Sequence, residues 1–218
     1  MNILVACEES QRVCISFRER GHEAYSCDLQ DCSGGHPEWH IKGDVREVID
    51  ARTPRGDKLN MVCFMTMDNI IHWFDKWDMI IAHPPCTYFS KASAGRLFPN
   101  KQLNKERYEK GLKMRELFFQ ILNANCDKIC IENPTPMKIW QLPPPSCIIQ
   151  PFEFGEPYSK RTLLWLKGLP PLIPTCYYLE KRPWVDGGHK GGYGIAKTSK
   201  DRSKTFWGIA RAMAEQWG

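Results

Sequence analysis

The chain has 218 residues, 42% of them hydrophobic and 25% charged. That length suits one well-buried domain, and the balance excludes disordered, collagen-like and coiled-coil chains. The net charge of +5 is uneven, since residues 158–218 carry 11 Lys and Arg against 4 Asp and Glu while residues 1–157 carry 19 against 21. A basic last quarter suits a polyanionic partner such as nucleic acid, and equally a merely solvated basic face. No apolar run approaches the ~20 residues of a membrane span, and the opening MNILVACEESQR has no signal-peptide pattern, so a cytosolic chain without membrane partners is expected. The ten cysteines are then expected as reduced thiols, mostly small core residues.

In chain order, residues 3–7 (ILVAC) read as a strand. Ser10 follows as a candidate N-cap, then Val13, Cys14 and Phe17 at helical spacing, with Gly21 as the stop. Residues 23–29 (EAYSCDL) predict a second strand ending at Asp28, and 41–45 (IKGDV) a shorter one with Asp44. Residues 52–76 interrupt the rhythm and read as an insertion carrying its own helix. Residues 77–86 (WDMIIAHPPC) form an apolar strand halted by two prolines. A helix is predicted within 101–124, with Leu103, Tyr108, Leu112, Phe119 and Leu122 as its apolar stripe, followed by the strand KICIEN at 128–133. Residues 141–160 are Pro-rich and read as loop, 162–169 (TLLWLKGL) as strand, and 182–201 as a mobile Gly/Lys-rich segment. A last helix presents Phe206, Ala210, Met213 and Trp217 on one face. The alternation predicts a single α/β domain over 1–218, a Rossmann-like open and mostly parallel sheet, with a short basic lobe at 176–200.

In such a sheet ligands bind beyond the carboxyl ends of the strands, where this chain places Cys7-Glu8-Glu9-Ser10, Asp28, Asp44 and Pro84-Pro85-Cys86. An acid after the second strand can accept both hydroxyl protons of a ribose, and an acid one strand later can take an adenine amino group. Either acid alone is as readily a helix cap. Two prolines hold Cys86 on a stiff loop, as suits a nucleophile that must meet an sp² carbon at a set angle. Glu132-Asn133-Pro134 at the end of the next strand supplies a carboxylate that can bond a ring nitrogen while a thiolate adds to the ring.

These residues resemble the cytosine-C5 DNA methyltransferases, most closely their small phage-type members. The Pro-Cys loop of that family is matched by DMIIAHPPCTYFS with Cys86, its Glu-Asn-Val motif by Glu132-Asn133-Pro134, and its arginine-bearing late strand by SKRTLLWL with Arg161. The resemblance implies a sheet of S-adenosylmethionine-dependent methyltransferase type and DNA as partner. It implies Cys86, Glu132 and Arg161 as catalytic residues, and Cys7, Glu8, Ser10, Asp28, Asp44 and Pro84 as contacts to S-adenosylmethionine. Pro85, Thr87, Ser90, Asn133 and Lys160 are then substrate contacts. The sequence departs from the family in two places: the first loop has no glycine, and only 176–200 stands where a target-recognition domain is usual.

Duplex reading by a separate domain is therefore not expected. Lys181, Arg182, Lys190, Lys197, Lys200, Arg202 and Lys204 are candidates to neutralise phosphates, with a preference for single-stranded or easily opened sites. Two alternatives stay open: a non-catalytic nucleic-acid or partner-binding protein on the same fold, and C5 modification of a free pyrimidine nucleotide. Cys27, Cys32, His36 and His40 have spacings a zinc site could use, but the run also holds a strand end and the ribose acid, so no metal is assigned. His22, His72, His83 and His189 read as isolated surface or core residues, with a lesser catalytic alternative for His83 because it adjoins the Pro-Pro-Cys loop. Trp184, Tyr193 and Trp207 interleave with lysines and suit either base stacking or the packing of a short lobe.

Overall fold

The computed structural model describes residues 1–49, 61–184, 196 and 198–218. Strand β1 (Asn2–Ala6) is followed by helix α1 (Arg12–Arg18), β2 (Glu23–Asp28) and β3 (His40–Lys42). A hairpin of β4 (Val62–Met65) and β5 (Ile71–Phe74) precedes β6 (Met79–Ala82). The short α2 (Ala94–Leu97) and long α3 (Lys105–Leu122) lead to β7 (Lys128–Asn133), β8 (Cys147–Ile149), β9 (Tyr158–Ser159) and β10 (Thr162–Lys167). The chain closes with β11 (Arg182–Pro183), α4 (Ser199–Ser203) and α5 (Trp207–Trp217).

Seven strands form one sheet in the order β3-β2-β1-β6-β7-β10-β8. The pairs from β3 to β7 are parallel, and β10 runs antiparallel to both β7 and β8. This is an α/β sheet of Rossmann-like character. The central strands are continuously apolar over residues 3–6, 79–82 and 129–131 because both faces are covered. Ile3 and Val5 of β1, Met79 and Ile81 of β6 and Cys130 of β7 face a layer containing α1 and α5. Their alternates Leu4, Ala6, Ile80, Ala82, Ile129 and Ile131 face the layer containing α3. After β1 the chain winds toward β3, and after β6 it winds the other way. The crevice beyond the carboxyl ends of β1 and β6 is therefore the switch point at which such sheets bind ligands.

Several local expectations are corrected. Ser10 is not the cap of α1: Gln11 takes the cap position at φ 58°, and the Glu8 carboxylate accepts the Val13 and Cys14 N–H groups at 2.7 and 3.2 Å. Gly21 does stop that helix, with φ 81°. The described part of the 52–76 insertion is a β-hairpin rather than a helix. Its alternation has period two, with Val62 and Phe64 buried and Cys63 and Met65 exposed. Thr66 and Asp68 close the turn through a 2.6 Å hydrogen bond, and Phe64 stacks on Trp77 at 5.4 Å. Residues 50–60 lie outside the described residues.

In α3 the buried face is Gly111, Leu117, Phe118 and Ile121, while Leu103 and Leu112 of the expected stripe are exposed. The 141–160 stretch contains β8, which pairs with β10 at the sheet edge, as well as the short β9. Most of the Gly/Lys-rich segment, Tyr193 and His189 included, lies outside the described residues. The strands at 128–133 and 162–167 and the buried face Ala210, Met213 and Trp217 of α5 follow the sequence reading. All ten cysteines are free thiols. Among the described residues no helix is long and apolar enough to cross a membrane.

Candidate active site at the ends of β6 and β7

The apolar strand β6 ends where His83 begins a loop, and the His83 N–H still bonds the Ala6 carbonyl at 2.9 Å, carrying the pairing with β1 one residue further. Pro84 and Pro85 then fix the backbone and offer no donors. The Pro84 carbonyl instead accepts the Asn133 amide at 2.8 Å. Cys86 opens a tight turn in which its carbonyl accepts the Phe89 and Ser90 N–H groups at 3.0 and 3.1 Å. Phe89 is wholly buried and anchors that turn in the core. Two more backbone bonds, Met137 to Phe89 and Lys91 to Thr135, stitch this loop to the one after β7. The Cys86 and Glu132 loops are thus one laced unit.

Glu132 is the penultimate residue of β7, opposite Leu164 of β10, and its side chain is 9% exposed. Oε2 lies 2.8 Å from His83 Nδ1 and accepts the Thr205 hydroxyl at 3.3 Å, while Oε1 is 3.8 Å from Lys160 Nζ. Burial pushes this carboxyl up, but the Lys160 charge and the His83 and Thr205 hydrogen bonds outweigh it and hold the group down to about 2. Glu132 is therefore an ionised, acceptor-only group. Cys86 is half-buried, and burial with the Glu132 charge raises its thiol, while Lys160 and Arg202 pull it back. Both cations thus act on the thiol, one from the segment before β10 and the other from α4.

The neighbouring edge at β1, β2 and β3 holds the other candidates. Cys7 sits at φ 59° directly after β1, and burial plus the Asp28 and Asp44 charges push its thiol up to about 12. That coupling places both acids around one mouth. Asp28 accepts the Gln30 N–H with Oδ1, and among the described residues its Oδ2 makes no hydrogen bond. Asp44 uses both oxygens locally, capping a short turn through the Arg46 N–H and pairing with the Arg46 guanidinium at 2.9 Å. Glu8 faces into α1, and burial raises its carboxyl to about 7 against the pull of His83 and of the helix amides. Glu9 and Ser10 are buried as well.

The remaining expected residues on these loops differ in exposure and engagement. Pro84 is buried behind Cys86, Pro85 and Thr87 are exposed, and Thr87 gives its carbonyl to Arg107 at 2.6 Å. Ser90 is half-buried and bridges to Pro136. Asn133 spends its amide nitrogen on Pro84, while its Oδ1 is buried without a partner among the described residues. Arg161 is exposed, and it is Lys160 rather than Arg161 that reaches Glu132. Trp184 packs on Tyr158 and Phe206, and Trp207 lies under Arg12 and Arg211.

His40 bonds Ser26 and the Gln30 carbonyl, and His36 bonds Glu38, so each histidine of the suspected zinc set is otherwise engaged. Among the described residues no three His, Cys, Asp or Glu side chains group as a metal site. Of the Glu132 cluster, sequence reasoning weighed His83 only as a lesser candidate and missed Thr205. His83 had a signal in its position beside the Pro-Pro-Cys loop. Thr205 had none, because only the docking of α5 brings it there. No family model matches this sequence, and no curated protein matches it.

Proposed function

We propose that the chain transfers a methyl group from S-adenosylmethionine to C5 of cytosine in DNA, on a sheet of the S-adenosylmethionine-dependent methyltransferase type. The observation that carries this reading is the lacing of the Cys86 and Glu132 loops at adjacent strand ends. It holds a nucleophile beside an ionised acceptor at the edge where open α/β sheets bind ligands. C5 of cytosine is a weak nucleophile until a thiolate adds to C6. Cys86 supplies that thiolate, aided by Lys160 and Arg202, which oppose the effect of burial on its ionisation. Glu132 accepts a hydrogen bond from the N3–H that the adduct requires and holds the ring in place. Expulsion of the thiolate, with loss of the C5 proton to water, frees the product.

S-Adenosylmethionine, when bound, supplies an electrophilic methyl group. The residues present fit it at Asp28, whose second oxygen is available to a ribose hydroxyl. They fit it less well at Asp44, which Arg46 already engages. The acid of Glu8 poses no obstacle to a carboxylate-bearing ligand, because it turns into α1 and takes up two backbone amides. The test is mass analysis of nucleosides from DNA of cells expressing the chain or its Cys86→Ser variant. 5-Methylcytosine is expected with the first and not the second. Activity on free cytidine nucleotides but not on DNA would move the chemistry to a small substrate, and no modified pyrimidine in either pool would sink the reading.

A further inference from the structure

Glu132 is the group nearest the ring nitrogen in the proposed addition, yet it carries no proton of its own to give. A carboxylate only accepts, so in its 2.8 Å contact with His83 the hydrogen resides on Nδ1. Thr205 donates to the same oxygen at 3.3 Å and lies 3.4 Å from Nδ1, closing a three-membered cluster from the C-terminal side. The His83 and Glu132 side chains are 8% and 9% exposed. The other imidazole nitrogen, Nε2, is buried with no hydrogen-bond partner among the described residues. The groups that face this pair are Glu8 from the turn after β1, Cys86 from the loop after β6 and Lys160 from the segment before β10.

We infer that His83 is a positioning residue of the reaction, which stores, next to Glu132, the proton that the pyrimidine takes up at N3. This rests on the reading of the site as one for addition at C6. As the Cys86 sulfur forms its bond to C6, the C5=C6 electron pair moves through C4 toward N3. The His83 Nδ1–H bond then breaks, its proton passes through the Glu132 carboxylate, and an N3–H bond forms. Imidazolium becomes neutral imidazole, and Glu132 ends as it began. Expulsion of the thiolate returns the N3 proton by the same route. Burial disfavours the imidazolium, but the Glu132 contact and the Glu8 charge together raise His83 above its ordinary range, Lys160 opposing.

Two measurements on the full chain test this. In the first, the ¹³Cε1 resonance of His83 is followed against pH in the wild type and in Glu132→Gln. The midpoint is expected to fall by more than about one pH unit when the carboxylate is removed. In the second, covalent trapping on a 5-fluorocytosine oligonucleotide with S-adenosylmethionine is timed across pH for the wild type and for His83→Gln, which keeps an N–H toward Glu132 but cannot ionise. Trapping is expected to slow by about 100-fold or more. Its decline at alkaline pH should vanish while oligonucleotide affinity is unchanged. A His83 midpoint indifferent to Glu132, or wild-type trapping rates and pH profile in His83→Gln, overturns the inference and leaves the addition chemistry standing. Absence of trapping by the wild type overturns the addition chemistry, and the His83 role falls with it even where the resonances are coupled.

Discussion

At the scale of single residues, three buried titratable side chains, Glu8, His83 and Glu132, stand beside the half-buried Cys86, and their shifts make opposite contributions to stability. Glu132 has a folded value near 2, well below its ordinary 4.5. Its stabilisation is present above the unfolded value and lost as pH falls through the folded one. Glu8 is raised from 4.5 to about 7, so the native state binds more protons than the unfolded state between those values. Stability therefore declines across that window as pH rises, by at most about 1.4 kcal/mol per unit. His83, raised as well, adds stability at low pH that is lost as pH climbs through its folded value. Urea unfolding should give a maximum on the acid side of neutrality, and Glu8→Gln should flatten the alkaline limb. An alkaline limb unchanged in that variant would show that the Glu8 carboxylate is ionised throughout, held by its two amides.

The placement of the Pro-Pro-Cys and Glu-Asn-Pro segments at strand ends was legible because its signals are local: prolines halt an apolar run, and an acid at a strand end is read in place. The charge of Glu132 was not, since Lys160, His83 and Thr205 come from three separate stretches of chain. Glu8 misled for the same reason. As an acid beyond β1 it reads as a ligand contact, whereas the fold turns it back to cap the helix it precedes.

At the scale of elements, helix α3 shows how a neighbour outranks propensity. Its buried Gly111 lies directly beneath the Trp140 indole, which also stacks on Tyr108 at 5.5 Å. A glycine within a helix costs about 1 kcal/mol relative to alanine, yet a β-carbon here would occupy the space of the ring. Gly111→Ala is therefore expected to destabilise by about 1–3 kcal/mol net, with the loss read as a lower urea midpoint at unchanged slope. A stabilised variant would mean that Trp140 relaxes freely. The same contact explains the stripe misread in the sequence, where Leu103 and Leu112 looked apolar enough for the core while a glycine marked the true face.

The hairpin at 62–74 was illegible for a different reason. Its alternating pattern is only four residues long on each side, and its outer face keeps large apolar groups, Met65, Ile71 and Trp73, exposed. Such a stretch satisfies a helical pattern as readily as a strand one. The Thr66–Asp68 turn bond and the aromatic packing of Phe64 on Trp77 and Tyr25 decide between them, and neither is visible without the fold.

At the scale of the whole molecule, the end of the chain completes both the core and the site. α5 packs on α1 and fills the layer over Ile3, Val5, Met79 and Ile81 with Ile209, Ala210, Met213 and Trp217. Arg12 of α1 holds the Thr205 carbonyl at 2.9 Å, which fixes the residue whose hydroxyl reaches Glu132. Trp217 is 3% exposed and its indole N–H bonds the Pro170 carbonyl at 3.0 Å. Trp217→Ala should cost about 3–5 kcal/mol, seen in urea unfolding, and should weaken the Thr205–Glu132 contact by loosening the helix that Thr205 immediately precedes. Unaltered stability would place α5 outside the cooperative core. The alternation of short apolar runs such as ILVA and MIIA with longer helical patterns made this architecture readable from the sequence, since in that setting such runs read as strands covered on both faces.

The central claim is that Cys86, held beside ionised Glu132, adds to a pyrimidine ring. The most direct measurement is peptide mapping by mass spectrometry after incubation of the full chain with a 5-fluorocytosine oligonucleotide and S-adenosylmethionine, in which fluorine at C5 blocks the proton loss that frees the product. The account predicts a stable adduct of one oligonucleotide per chain on the peptide containing Cys86, absent from Cys86→Ser. No adduct, or an adduct on any of the other nine cysteines, would contradict it.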